Sequence, residues 1–138
     1  MEIKQLTTTN VYSFEGKVLV CGACLGEVYP EALRELATDA DGVYALCLEV
    51  THINMAVTKI LAMLSTGKVT HLTFASVDRS PHCTQMHYIR HEIERSMPEH
   101  VPIEDIVISA AGEPVRVPAE AIELSKTLSK LSRMVDQA

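Results

Sequence analysis

The sequence lacks the features that mark membrane proteins and nucleic-acid-binding proteins. No stretch approaches the roughly 18 apolar residues that a membrane-spanning helix needs. Twelve Lys and Arg stand against 18 Asp and Glu, for a formal charge of −6, and a net acidic surface repels phosphate backbones and anionic lipids. The first residues also lack the basic start and apolar core of a secretion signal. We therefore expect a cytoplasmic protein that binds neither nucleic acid nor membrane.

Motifs of three common enzyme classes are missing as well. Gly67-Lys68 has neither the upstream Gly nor the following Ser or Thr of a phosphate-binding loop. The first predicted strand is not followed by Gly-x-Gly-x-x-Gly, the signal of a dinucleotide site. The Gly-x-Ser-x-Gly of a hydrolase nucleophile elbow is also absent. The chain thus offers no local signal for these sites.

The order of apolar segments predicts the fold. A length of 138 residues with 47% hydrophobic residues indicates a single domain. Strands are predicted at 17–21, 43–50, 69–77 and 103–110, helices at 30–40, 53–65, 81–97 and 118–136, and an arm or edge strand at 1–15. Alternating helices and nearly continuous apolar strands call for an α/β fold of the flavodoxin-like type. We expect three layers, with helices on both faces of a mainly parallel sheet of four or five strands.

Four cysteines stand out in this otherwise ordinary composition. A reducing cytosol forms few structural disulfides, so cysteines there are more often ligands, catalysts or buried packing residues. Cys21 and Cys24 follow the first predicted strand, Cys47 lies near the end of the second, and Cys83 opens the helix after the third. Because the carboxyl ends of parallel strands meet at one edge of a sheet, these thiols are predicted to converge on one site.

The spacing of the cysteines suits metal binding. A Cys-x-x-Cys pair such as Cys21 and Cys24 can hold one metal from a single turn, and four thiolates complete a tetrahedral or cluster site. Cys83 lies in a first helical turn, where unpaired N–H groups stabilise a thiolate. His82 or His87 is an alternative ligand, and a mixed Cys/His set would suit zinc.

Two other interpretations of the thiols remain open. Cys21-Gly22-Ala23-Cys24 resembles a thioredoxin-type dithiol, which would make the protein a Cys-dependent thiol oxidoreductase, although Gly26 and Pro30 favour a loop over a helix start at this pair. Alternatively, the cysteines are inert core residues, as Cys47 between two leucines would be if taken alone.

Three segments together resemble the small iron–sulfur (delta) subunit of methyl-viologen-reducing hydrogenase, which is linked to heterodisulfide reductase. They are Val20-Cys21-Gly22-Ala23-Cys24, Leu46-Cys47, and Pro81-His82-Cys83 followed by His87-Tyr88-Ile89. The likeness covers residues 17–92. The family has one further cysteine where this sequence has Met86 and another where it has Val20. The resemblance implies a [2Fe-2S] cluster that passes electrons between a hydrogenase and its flavin-containing partner.

These observations combine into one functional prediction. Cys21, Cys24, Cys47 and Cys83 are expected to hold a [2Fe-2S] or [4Fe-4S] cluster that transfers electrons to a redox protein or within a larger oxidoreductase complex. The protein would then be an electron-transfer subunit of an anaerobic redox complex rather than an enzyme on its own. The last predicted helix offers a surface for a partner or a second copy of the chain. The alternative is zinc in an interaction module.

Overall fold

The computed structural model describes residues 1–137, whose core is one six-stranded sheet. The strands are β1 (Ile3–Gln5), β2 (Gly16–Gly22), β3 (Gly42–Leu46), β4 (Val69–Val77), β5 (Ile103–Ile108) and β6 (Pro114–Arg116). Their order across the sheet is β1-β3-β2-β4-β5-β6. The first five run parallel, and β6 pairs antiparallel with β5. The predicted α/β fold with a mainly parallel sheet is confirmed.

The sheet has more strands than the four or five expected. β1 is an edge strand within the N-terminal arm, and it pairs with β3 from Ile3 to Gln5. β6 was not predicted at all, and it closes the opposite edge. Each of these strands has three residues, all of them exposed. Such short edge strands carry no buried periodic pattern, so periodicity cannot reveal them.

Helices cover both faces of the sheet, as three-layer packing requires. They are α1 (Leu25–Val28), α2 (Pro30–Ala37), α3 (Ile53–Ser65), α4 (Pro81–His87), α5 (Ile89–Ser96), α6 (Ala119–Ser125) and α7 (Leu128–Asp136). Apolar residues of α3, α4 and α5 pack on one face around Phe74, and those of α1 and α2 pack on the other around Leu19. None of the helices within residues 1–137 combines the length and apolarity needed to cross a bilayer.

The long buried elements have the predicted bounds, whereas β3 does not. α3 and β4 coincide with the predicted segments 53–65 and 69–77. β3 ends at Leu46, so Cys47 lies beyond the strand and not inside it. The chain turns at that point, because the Cys47 carbonyl accepts hydrogen bonds from the N–H groups of Val50 (3.3 Å) and Thr51 (3.0 Å). This turn fixes Cys47 at the carboxyl end of β3.

Two predicted helices are each divided in the structure. The segment 81–97 breaks at Tyr88 into α4 and α5, and the segment 118–136 breaks at Lys126 and Thr127 into α6 and α7. The single helix expected over 118–136 is therefore discontinuous. α7 buries none of its residues, and Leu128 is 75% exposed.

Candidate functional site

Three of the four cysteines meet at the carboxyl edge of the sheet. Cys21 is the next-to-last residue of β2, and Cys24 follows in the turn that opens α1. Cys83 lies in the first turn of α4, directly after β4. β2 and β4 are neighbours in the sheet, so the loops that follow them are adjacent as well. We refer to Cys21, Cys24 and Cys83 as the thiol trio.

Two members of the thiol trio, Cys24 and Cys83, are in direct contact. The Cys24 and Cys83 sulfurs are 3.3 Å apart, although 59 residues separate them in the chain. Cys83 is buried directly over Gly22, where an added Cβ would lie only 2.6 Å from Cys83 Sγ. Because no side chain except a hydrogen fits between this backbone and the sulfur, Gly22 permits the approach of Cys83 to the Cys21–Cys24 loop.

Burial and the neighbouring sulfurs raise the pKa of both Cys21 and Cys24. Burial raises the pKa of Cys21 to about 12, and the neighbouring Cys83 and Cys24 sulfurs raise it further within that shift. Burial also raises the pKa of Cys24 to about 11, with a second contribution from its hydrogen bond to Cys83. A negative charge on one sulfur disfavours deprotonation of the neighbouring thiol. A bound cation would reverse the balance, because it stabilises the thiolate form.

Ser80 links the two loops that carry the thiol trio. Its side chain is the N-cap of α4 and accepts a hydrogen bond from the Cys83 N–H at 3.4 Å. The same hydroxyl donates to Cys24, an interaction that lowers the pKa of that thiol against the larger effect of burial. No local pattern in the sequence signals the contact of Ser80 with a cysteine from another loop.

Cys47 lies beside the thiol trio without joining it. The Ala23 N–H donates to the Leu46 carbonyl at 3.0 Å, which ties the Cys21–Cys24 loop to the residue before Cys47. Cys47 is half-buried, and no sulfur contact of it is seen in the part of the chain that the structure describes. Within residues 1–137, no three side chains of His, Cys, Asp or Glu already surround one metal-sized position.

The two candidate histidine ligands lie in different surroundings. His82 is exposed on the outside of α4. His87 is 4% exposed, and both of its ring nitrogens are engaged: Nε2 with Ser76 Oγ at 2.7 Å and Nδ1 with Asp105 Oδ1 at 2.8 Å. The structure therefore does not place His87 among the thiols.

The partners of His87 form a second polar cluster that the sequence did not suggest. Ser76 on β4 and Asp105 on β5 are each 1% exposed. Asp105 also accepts from Arg90 Nε through its second oxygen at 2.7 Å. We call Ser76, His87 and Asp105 the Ser–His–Asp chain. Its members come from three elements, spaced 11 and 18 residues from His87, so no local motif could signal it.

A cavity of about 260 Å³ lies against the Ser–His–Asp chain. Ser76 and His87 form part of its wall, together with the Tyr88 and Ser125 side chains. The hydroxyls of Tyr88 and Ser125 are 3.3 Å apart, in a hydrogen bond between α6 and the junction of α4 and α5. Most of the remaining wall is aliphatic, from β5, β6 and α6.

Comparison with known proteins identifies the fold family. A family model described as a Rossmann-like domain matches residues 14–137. No curated protein and no solved structure matches the chain. The matched segment includes all four cysteines and every strand except β1. On the strength of this match over most of its length, the chain belongs to the Rossmann-like domain family.

Proposed function

We propose that this protein binds an iron–sulfur cluster through Cys21, Cys24, Cys47 and Cys83 and transfers electrons to a protein partner. The observation that carries the proposal is the convergence of Cys24 and Cys83, whose sulfurs lie 3.3 Å apart after arriving from separate loops. Cys21 adjoins them, and Cys47 follows the neighbouring strand at the same edge. The ends of parallel strands are where α/β sheets bind their ligands.

The raised pKa values of Cys21 and Cys24 favour metal binding over nucleophilic chemistry. A thiol reacts as its thiolate, and reactive cysteines have a lowered pKa. Here the pKa of Cys21 is raised by burial to about 12 and that of Cys24 to about 11. Such thiols are poor nucleophiles near neutral pH. Iron or zinc would displace their protons and offset the repulsion that the sulfurs exert on one another.

The sulfur separation bears on the kind of centre. Two thiolates bound to one tetrahedral metal at about 2.3 Å lie roughly 3.8 Å apart, near the 3.3 Å between Cys24 and Cys83. In a [2Fe-2S] cluster each iron holds two cysteines, whereas in a [4Fe-4S] cluster each iron holds one. The close pair therefore favours a [2Fe-2S] cluster among the iron–sulfur centres, and it also fits zinc.

The cluster would supply one-electron oxidation and reduction, and the chain's own residues would tune it. Backbone N–H groups and the Ser80 hydroxyl near the sulfurs are the kind of donors that adjust a cluster potential. The formal charge of −6 favours the oxidised, less negative state and hence a lower potential. We infer a cytoplasmic electron-transfer subunit whose partner is a redox protein or a larger oxidoreductase complex, as the resemblance to the hydrogenase delta subunit implies.

Anaerobic reconstitution of four single Cys→Ser variants tests the ligand set. We expect Cys21→Ser, Cys24→Ser, Cys47→Ser and Cys83→Ser each to lower or alter the cluster, as read by Mössbauer and visible spectra. Ser80→Ala is the matched comparison, since it removes a neighbouring hydroxyl but no ligand and should shift the potential while retaining iron. Unchanged spectra in the Cys47 variant would remove that residue from the site. Stoichiometric zinc without iron would contradict the cluster and favour the zinc-binding alternative.

A dithiol redox function is the second candidate, and the same 3.3 Å contact favours it. Oxidation by diamide would join Cys24 to Cys83 and close a loop of about 59 residues, for which loop entropy predicts about 4 kcal/mol of stabilisation. Peptide mapping would locate the bond, with Cys47→Ser as the control that leaves it unchanged. Reversible oxidation at a physiological potential in the metal-free protein, together with failure to bind iron, would favour this candidate over the cluster.

A further inference from the structure

The Ser–His–Asp chain has the hydrogen-bond order of a nucleophile, a base and an orienting carboxylate. Ser76 Oγ lies 2.7 Å from His87 Nε2, and His87 Nδ1 lies 2.8 Å from Asp105 Oδ1. These are the distances and the ring atoms that a serine nucleophile requires. Ser76 is the next-to-last residue of β4, near the carboxyl edge of the sheet. The cavity of about 260 Å³ gives a substrate a place beside the serine.

We propose that Ser76 is a nucleophile for acyl transfer, with His87 as its general base, and that short-chain acyl esters or thioesters are the substrates. The proposal is independent of the cysteines and of any metal. It also needs no nucleophile elbow, because the serine is delivered by a strand and the histidine by the following helix. The same three groups occur on unrelated folds, where geometry identifies them and sequence order does not.

The proposed reaction has two balanced halves. Ser76 Oγ forms a bond to the acyl carbon while its proton moves to His87 Nε2, and the ester alcohol or thiol then leaves with that proton. Water next attacks the acyl carbon, gives a proton to His87, and releases the carboxylic acid as the proton returns to Ser76 Oγ. No oxidant, reductant or metal takes part. His87 carries the extra proton only between these events.

Asp105 and Arg90 are positioning residues in this scheme. Asp105 accepts the Nδ1–H of His87, which leaves Nε2 as the acceptor that faces Ser76. Arg90 holds the second carboxylate oxygen at 2.7 Å and also donates to the Ile103 carbonyl at 2.6 Å. Burial of an unpaired carboxylate is costly, and Arg90 supplies the cation that offsets this cost for Asp105, whose side chain is 0% exposed. The pair therefore fixes both the tautomer and the direction of the imidazole ring.

The cavity fits a small acyl group. Drug-sized ligands occupy pockets of about 300 to 1,000 Å³, and this cavity of about 260 Å³ is smaller. Val107 and Ile122 provide aliphatic wall for a short chain, such as acetyl to butyryl. Ser125 Oγ already donates to the Ile122 carbonyl at 2.6 Å, so the Tyr88 hydroxyl, 3.3 Å from Ser125 Oγ, is the candidate donor to the carbonyl oxygen as it gains charge.

Labelling with a fluorophosphonate, followed by peptide mass spectrometry, tests the proposal on the whole chain. We expect the adduct on Ser76. Because free thiols also attack activated esters, hydrolysis of p-nitrophenyl acetate and butyrate is measured alongside it and compared with the labelled site. Ser76→Ala and His87→Gln should lower the ester kcat by at least about 100-fold. Ser65→Ala, which removes an exposed hydroxyl from α3, should leave it unchanged.

The positioning role of Asp105 has its own readout. Asp105→Asn should lower kcat with little change in KM, and it should alter the pH profile, because the histidine loses its tautomer control. Labelling of Ser76 in the wild-type protein tests the proposal even if a variant fails to fold. Labelling at another residue, absence of any adduct, or full ester turnover in Ser76→Ala would each overturn the proposal. The Ser–His–Asp chain would then have a purely structural role.

Discussion

Gly22→Ala probes the packing that brings the thiols together. The added Cβ would lie 2.6 Å from Cys83 Sγ, whereas nonbonded heavy atoms prefer about 3.5 to 4.0 Å. The overlap of about 1 Å forces either the sulfur or β2 to move, and overpacking of this kind costs about 1 to 3 kcal/mol. Alanine also lowers the conformational entropy of the unfolded chain, which stabilises the folded protein by about 0.4 to 1 kcal/mol. We therefore expect the free energy of unfolding to fall by about 1 to 2 kcal/mol.

Urea denaturation of the metal-free protein measures this loss, and Cys83 alkylation measured by mass spectrometry reports the displacement of the sulfur. The alkylation rate should rise, since Cys83 is 6% exposed in the native packing. Gly26→Ala is the control, because its added Cβ would meet only the end of the flexible Leu33 side chain at 3.3 Å. A Gly22→Ala protein with wild-type stability and an unchanged Cys83 alkylation rate would refute the packing described for this edge.

Two further predictions concern buried charge. Because burial raises the pKa of Cys21 from 9.0 to about 12, the unfolded chain loses this proton first; the contribution of Cys21 to the free energy of unfolding of the metal-free protein should be constant below about pH 8 and then fall by about 4 kcal/mol across pH 9 to 12, in addition to the fall that Cys24 causes. Urea titrations of wild type and Cys21→Ala check this. A difference in the free energy of unfolding between the two proteins that does not change with pH would contradict it. Arg90→Met should cost about 3 to 5 kcal/mol, because it leaves the carboxylate of Asp105 buried without its cation. Arg95→Met, which removes an exposed pair, should cost under about 1 kcal/mol in the same denaturation assay.

Periodicity predicts the buried elements of this chain and misses those that tertiary contacts decide. α3 repeats apolar residues at helical spacing, and β4 carries an apolar run long enough to identify it. The break at Tyr88 has neither the Gly nor the Pro that usually ends a helix. It coincides with a tyrosine whose hydroxyl contacts Ser125 and whose ring lies under Lys126. Contacts with a segment so distant in sequence leave no local signal.

The two polar sites differ in how far the sequence predicts them. The cysteines lie at or after strand ends, and parallel topology places those ends together; of the four thiols predicted to converge, Cys24 and Cys83 are in contact in the structure. The sequence could not tell that Cys47 would lie apart from the thiol trio, since its position depends on where β3 ends. In the sequence, Ser76 and Asp105 are simply polar residues within predicted apolar strands. Only the sheet register places both on the face where His87 packs.

The metal content of the natural protein tests the central claim most directly. The measurement is iron, zinc and acid-labile sulfide per chain in protein purified without oxygen, together with its visible spectrum. A [2Fe-2S] cluster predicts two irons and two sulfides per chain, with coloured protein that bleaches on reduction. Colourless protein that contains neither iron nor sulfide, before or after anaerobic reconstitution, would contradict the cluster that we propose for Cys21, Cys24, Cys47 and Cys83.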